Sequence, residues 1–300
     1  MGGIDRRRLL AGAVGAGLGT ALTYRRHVGA QKLGPIDAPR VYLPGVLNGH
    51  TSAPGELPIT VSADAAWCWF ADPRAVCHNG TTYFGYITKS GDIQVCAFSN
   101  ASGAAGSPVT LHAGLEVDDH DNPTILVRDS DKRLLVFYSM HVGNTIYQRT
   151  STNPEDISTW DAEVSLDAAL GGVWYTYPTP LQLAAEVDSP VYLFYRQHSS
   201  DMNSWWAYST SADGGATWTA QKVLHSYTYQ KTGTNGRDRI DLAMTNHADP
   251  STESGNSVLK HMYWQDGHWR DSTGGAIDDA FGGAYITSNL MNTINDYYPK

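Results

Sequence analysis

Ser211-Ala212-Asp213-Gly214-Gly215-Ala216-Thr217-Trp218 fits the pattern S-x-D-x-G-x-T-W at every fixed position. These residue types describe a tight turn between two strands. The Asp side chain folds back onto turn amides, glycine supplies a positive φ, and tryptophan wedges beside the joined strands. Working outward, Trp205 to Thr210 precedes the turn as a strand, and Tyr192-Leu193-Phe194-Tyr195 precedes that. The same ending recurs in Tyr83-Phe84-Gly85-Tyr86, Leu135-Val136-Phe137-Tyr138 and Lys260-His261-Met262-Tyr263. The closing tyrosines are 52, 57 and 68 residues apart. Each run follows a polar turn (Asn79-Gly80, Asp131-Lys132, Asp188-Ser189, Gly255-Asn256) and an earlier apolar strand.

Repeats of this length with three or four strands each read as propeller blades, and the turn around Asp213 is then an Asp-box. Ser151 to Trp160 is a looser copy, with Asn153, Asp156 and Trp160 at wider spacing. The expected fold is all-β: a β-propeller of four-stranded antiparallel blades. Four blades are counted from about Trp67 to Ile277, and strand material at Leu57–Ser62 and Gly283–Asn289 is a candidate fifth. Residues 57–300 form this domain, and residues 31–56, rich in Gly, Pro and polar groups, read as a linker or N-terminal arm.

Composition agrees. The 300 residues include 17 Tyr, 9 Trp and 30 Gly, with only 17% charged, which favours β structure with many turns. Residues 1–30 carry five Arg and one Asp; without them the chain holds 16 basic and 29 acidic residues, a net charge of −13. That balance argues against general nucleic-acid binding. Asp5-Arg6-Arg7-Arg8-Leu9-Leu10 precedes a Gly/Ala-rich apolar run ending at Leu22, with Val28-Gly29-Ala30 as a cleavage site. The order resembles a twin-arginine export signal over 1–30. The run is too short and weakly apolar for a membrane span, so the expected location is secreted, periplasmic or cell-surface. Cys68, Cys77 and Cys96 lie in apolar runs and read as small buried hydrophobes; a Cys68–Cys77 bridge is the first pairing to consider. Zinc spacing is absent, and these residues do not decide whether calcium serves structurally.

Four side chains stand at strand ends about one repeat apart. His120, in Asp118-Asp119-His120-Asp121-Asn122-Pro123, is an imidazole flanked by carboxylates that favour its cation. His141 lies three residues beyond Tyr138 and should emerge at the same end of its blade. Tyr177 opens the third blade where His120 opens the second, and Arg196 directly follows Tyr195. Two imidazoles, a phenol and a fixed cation suit acid–base chemistry on an anionic substrate. Tyr229, Arg239, Asn122 and His247 are candidate substrate contacts, although Arg239 is as readily a structural partner of Asp238 or Asp241. Trp174, Trp205 and Trp206 are packing wedges or sugar-stacking faces.

At these motifs the chain resembles the BNR-type propeller family that includes the ulvan lyases, which act on uronate-containing algal polysaccharides. The carrying segments are Asp119-His120-Asp121-Asn122-Pro123, Phe137-Tyr138-Ser139-Met140-His141, Tyr177-Pro178-Thr179-Pro180, Tyr192-Leu193-Phe194-Tyr195-Arg196, the Asp-box and Gly236-Arg237-Asp238-Arg239-Ile240. The resemblance implies an exported polysaccharide lyase that cleaves by β-elimination, without a cofactor. It would make Tyr177 a proton-transfer group with His120 sharing that work. His141 and Arg196 would neutralise the uronate carboxylate, and Tyr229 would be a second substrate-contacting tyrosine. The expected partner is an anionic polysaccharide, bound by a monomer. Two alternatives compete: a sialidase-like glycoside hydrolase, suggested by the Asp-box, and a non-catalytic carbohydrate-binding propeller.

Overall fold

The computed structural model describes residues 41–42, 60–66, 68, 74–199, 204–226, 229–245, 259–277 and 292–295. The export segment, most of the arm, His247 and the strand expected at Gly283–Asn289 lie outside the described residues. β1 (Val41–Tyr42) and β2 (Thr60–Ser62) form a two-stranded antiparallel pair. Four larger antiparallel sheets follow. The first holds β3 (Ala75–His78), β4 (Thr81–Ile87), β5 (Ile93–Ser99), β6 (Ala104–Ala105) and β7 (Val109–His112), with β6 and β7 both pairing with β5. The second holds β8 (Thr124–Val127), β9 (Leu134–Tyr138), β10 (Tyr147–Thr150) and β11 (Val164–Ser165). The third holds β12 (Trp174–Gln182), β13 (Val191–His198), β14 (Ser204–Ser211) and β15 (Lys222–His225). The fourth holds β16 (Tyr229–Thr234), β17 (Arg239–Thr245), β18 (Leu259–Gln265) and β19 (His268–Asp271), and β20 (Asn292–Asn295) also pairs with β18. This is the expected propeller architecture of four-stranded antiparallel blades, with a fifth strand added to the first and fourth sheets.

The polar turns between strands are built as their residues require. Asn79-Gly80 and Asp266-Gly267 are two-residue hairpin turns with positive φ at both positions, as such turns demand, and Lys132, Asp188 and Ser189 take positive φ in longer connections. A single α-helical turn, α1 (Asp167–Leu170), closes on Gly171, whose φ of 75° ends it in the left-handed region.

Apolar runs such as Leu134-Leu135-Val136-Phe137-Tyr138 lack polar alternation because the strand is buried on both faces. Leu134, Val136 and Tyr138 point to a core shared with Tyr83, Ile87 and Val95 of the first sheet. Leu135 and Phe137 point the other way, to a core shared with Tyr175, Leu193 and Tyr195 of the third. Tyr192 and Phe194 then face Ile240, Leu242 and Met262 of the fourth. Truncating one of these side chains, such as the fully buried Phe137, to Ala costs about 3–5 kcal/mol.

The Asp-box adds a polar stitch to the seam between the second and third sheets. Asp213 Oδ1 accepts the Thr217 N–H at 2.8 Å and Oδ2 accepts its hydroxyl at 2.6 Å, and these bonds hold the carboxyl down at about 2. Trp218 packs edge-on to Phe137 at 5.8 Å and donates from Nε1 to Gln148 at 3.0 Å. In the looser copy Trp160 packs against the preceding seam, between the first and second sheets.

Cys68 and Cys96 are buried as expected, but Cys77 and the expected bridge depart from that reading. None of the three is in a disulfide, and Cys77 is exposed on β3. Cys68 packs instead in the core between the third and fourth sheets, so the two do not bridge.

Candidate active site

The chain enters the second sheet through a 3-10 turn at Asp119–Asp121, which sequence and capping explain together. Asp118 is the N-cap, and its Oδ1 accepts the His120 backbone N–H at 2.9 Å. Asn122 donates from Nδ2 to the Asp119 carbonyl, and as the residue before Pro123 it turns to an extended ψ of 129°. Pro123 lies against Gly85 of β4, where a Cβ would meet the proline Cγ at 2.5 Å. Glycine there lets the turn settle onto the first sheet.

Asp118 then does more than cap. Its Oδ1 is 2.5 Å from His120 Nδ1, and its Oδ2 is 3.1 Å from His141 Nδ1. One carboxylate therefore orients both imidazoles, each with its Nδ1 facing Asp118. The rings lie parallel, 4.0 Å apart with planes 2° from coincidence in direction. His141 is fixed further by its backbone N–H, which donates to Glu116 at 3.0 Å. Burial and the neighbouring His120 charge push the His141 imidazole down, against the pull of Asp118. Burial raises the Asp118 carboxyl, but the His120 hydrogen bonds and both imidazoles outweigh it, so the net shift is downward. Beneath the pair, Asp121 is fully buried, and burial with the Glu116 and Asp118 charges pushes its carboxyl up to about 9. It is therefore neutral at pH 7.

Asp118, His120 and His141 have donor atoms within 4.8 Å of one another, the spacing of a metal triad. The stacking argues otherwise. A ring nitrogen offers its lone pair in the ring plane, and two parallel planes share no point for one ion to occupy. The donor set fits a proton-bonded cluster better than a metal centre.

Tyr177 reaches the imidazoles by a β-bulge. Thr176 pairs with Arg196 and Thr179 with Phe194, so Tyr177 and Pro178 together oppose Tyr195. Tyr177 has φ of +60°, an outlier for a bulky residue that aims its ring out of the regular pleat. Three threonine hydroxyls hold it. Thr124 Oγ1 donates to the Pro178 carbonyl at 2.9 Å, Thr179 Oγ1 to the Tyr177 carbonyl at 3.2 Å, and Thr176 Oγ1 accepts the Val142 N–H at 2.9 Å. Pro178 and Pro180 are tolerated because β12 is an edge strand of its sheet, bridged on its other side at Tyr175 by Gly143.

The Tyr177 ring lies 5.7 Å from His120, with the Arg196 guanidinium 4.6 Å above it and Trp206 stacked at 6.3 Å. Burial raises its phenol, against the Arg196 cation, so the hydroxyl keeps its proton across the neutral range. His120, Tyr177, His141 and Arg196 thus converge on one rim, where inner strands begin and second strands end. Exposure divides them: the His120 and His141 side chains are 25% and 33% exposed, whereas Tyr177 and Arg196 are buried.

The secondary candidates divide as well. Tyr229 opens β16 at this rim, and its phenol is among the groups acting on Tyr177. Arg239 is corrected to a structural role. Tyr229 pairs with Thr245 and Thr234 with Ile240, so Arg239 stands at the opposite end of its sheet, bound to Asp241 and stacked over Tyr263 at 3.7 Å. Asn122 is buried, and its Nδ2 donates to the 3-10 turn, a structural contact. Two groups were missed in sequence: Asp118, hidden among three equivalent acids, and His198, buried at the end of β13. A cavity of about 410 Å³ is lined by Val76, Ile125, Val127, Leu181 and Thr232, from the first strands of all four sheets, and by Gly236 just beyond the last of these strands. None of the imidazoles borders it.

Residues 81–300 match the pattern of a BNR repeat-containing family. Among solved structures, an ulvan lyase of polysaccharide lyase family PL25, bound to -[GlcA(1-4)Rha3S]-, superposes with a TM-score of 0.58 at 18% identity, over 76% of this chain and 59% of that one. The polysaccharide lyase Uly1 gives 0.52 at 13% identity, over 76% and 59%. The Hadza microbial sialidase Hz136 gives 0.50 at 13%, over 70% and 46%. The chain therefore spans less than two thirds of each of these carbohydrate-active enzymes, and the likeness is one of fold. No curated protein matches.

Proposed function

The chain belongs to the BNR repeat-containing family, and from that premise we propose that it is a polysaccharide lyase cleaving a uronate-containing polymer by β-elimination. The observation that supports this most is the pair of stacked imidazoles on one carboxylate, beside a phenol and a guanidinium.

In this reading Arg196 and His141 hold the uronate carboxylate. A neutral His141 takes up a proton on Nε2 as the anion arrives, because an opposite charge favours the imidazolium. Drawing charge from the carboxylate stabilises the enolate-like state that forms when C5 loses its proton. His120 Nε2, oriented through Nδ1 by Asp118, takes that C5 proton. The C4–O bond breaks, the C4–C5 double bond forms, and the Tyr177 hydroxyl protonates the departing oxygen. A raised phenol suits donation at neutral pH. An export signal at 1–30 would place this activity outside the cytoplasm, where such polymers are met.

A sialidase-like hydrolysis has less support. It asks for a tyrosine–glutamate pair beside several arginines. The pairs found among the described residues are Tyr138–Glu163 and Tyr192–Glu186, and neither involves Tyr177 or Arg196.

The test is incubation with ulvan and other uronate polymers while following the absorbance of the new unsaturated uronyl end. Tyr177→Phe should remove turnover by about a hundredfold or more while the fold is retained. New reducing ends without unsaturation would replace the lyase with a hydrolase. Binding without any product would leave a binding module.

A further inference from the structure

β13 ends at His198, two residues beyond Arg196 and therefore on the same face of the strand. That face is the one turned toward the Tyr177 ring, over which Arg196 lies. The imidazole is 7% exposed, and neither ring nitrogen has a hydrogen-bond partner among the described residues. Buried polar atoms in native proteins are almost always satisfied, so an imidazole with both nitrogens idle marks a place where a bound group belongs. The charges acting on it identify its neighbours as Arg196 and His141, the two groups assigned to the substrate carboxylate.

Burial, with those two neighbours, pushes the His198 imidazole down to about 4, so it is uncharged near neutrality. A neutral imidazole presents one N–H donor and one lone pair. A carboxylate is acceptor-only and matches half of that pair, while Arg196 already supplies a fixed cation for it. A sugar hydroxyl can accept from the N–H or donate to the lone pair, so it matches whichever ring nitrogen faces it.

We propose that His198 is a substrate-binding residue that hydrogen-bonds a free hydroxyl of the sugar whose carboxylate Arg196 and His141 hold. This rests on the lyase reading for the identity of that sugar. It adds a specificity element: a uronate with its ring hydroxyl blocked would lose this contact and bind less well.

The experiment uses the full chain, with a uronate oligosaccharide as probe and two variants. His198→Phe keeps a flat ring and removes both nitrogens; His198→Gln keeps one donor and one acceptor. Calorimetric binding and, where turnover occurs, KM and kcat are measured with the thermal midpoint of each variant. The expected result is a rise of about tenfold in Kd or KM for His198→Phe, with kcat within about threefold and partial recovery in His198→Gln. Unchanged affinity in His198→Phe overturns the proposal. Equal losses in both variants with a lowered midpoint overturn it in favour of packing. A wild type that binds the probe without turnover removes the lyase reading yet leaves this contact to be judged by Kd. A wild type that does not bind it removes both.

Discussion

Asp118→Asn is the perturbation that bears hardest on the candidate site. The carboxylate accepts from His120 at 2.5 Å and from His141 at 3.1 Å, each a hydrogen bond to a charged acceptor. Such bonds contribute about 1.5–3 kcal/mol apiece, and side chains a quarter to a third exposed sit toward the lower end. Asparagine keeps one acceptor oxygen and turns the other position into an N–H donor. One imidazole retains its partner. The other meets N–H with N–H and must flip its ring or shift its proton to Nε2, which removes the base or the carboxylate contact. The loss is about 2–4 kcal/mol in the reacting arrangement, or about 30- to 1,000-fold in kcat/KM. The assay is initial rate on a uronate polymer, with nitrogen-15 spectra of the imidazoles to read the tautomer and a thermal melt to check folding. A folded Asp118→Asn enzyme within about threefold of wild type would refute the orienting role. Wild-type spectra with protons on Nε2 would do the same.

Two further expectations follow from other parts of the molecule. Thr124→Val removes the hydroxyl that holds the Pro178 carbonyl at the bulge; it should lower kcat about tenfold at a stability cost of about 1 kcal/mol, and Thr124→Ser should restore most of it. Equal activity in the valine variant would show that the bulge holds itself. The second concerns acid. His225 is buried, and burial pushes its imidazole down to about 4, against the hydrogen bond with Gln230. An unfolded histidine titrates near 6.5, so between about 6.5 and 4 the unfolded chain binds a proton that the folded chain refuses, and stability falls as pH drops through that window. His198 contributes with the same sign. Urea midpoints across this range should fall with pH, and His225→Gln should flatten the slope; an unaltered slope would count against it.

The blades were legible because both of their signals are local. Turn residues such as Asn79 and Asp188 carry the positive φ that ends each hairpin, and the double-sided burial of β9 leaves an unbroken apolar run that a reader can count. The rim was legible by analogy of position, since Tyr177 opens its sheet as His120 precedes its own. What could not be read is what depends on side-chain direction. Asp118, Asp119 and Asp121 look alike in sequence, yet one bridges two imidazoles, one flanks His120 and one is buried as a neutral acid. Arg239 misled because only strand register shows it at the far end of its sheet. His198 looked like the polar tail of a strand, and only burial distinguishes it.

The catalytic candidates straddle one seam. His120 and His141 ride on the second sheet, Tyr177 and Arg196 on the third, and the boundary between them is closed by its own apolar layer and the clasp of Trp218 on Gln148. The spacing of donor and acceptor is thus hostage to the stiffness of a single joint. A ligand that bridges both sides would tighten that joint, and hydrogen exchange at β9 and β13 would slow together, while the outer blades kept their own tempo.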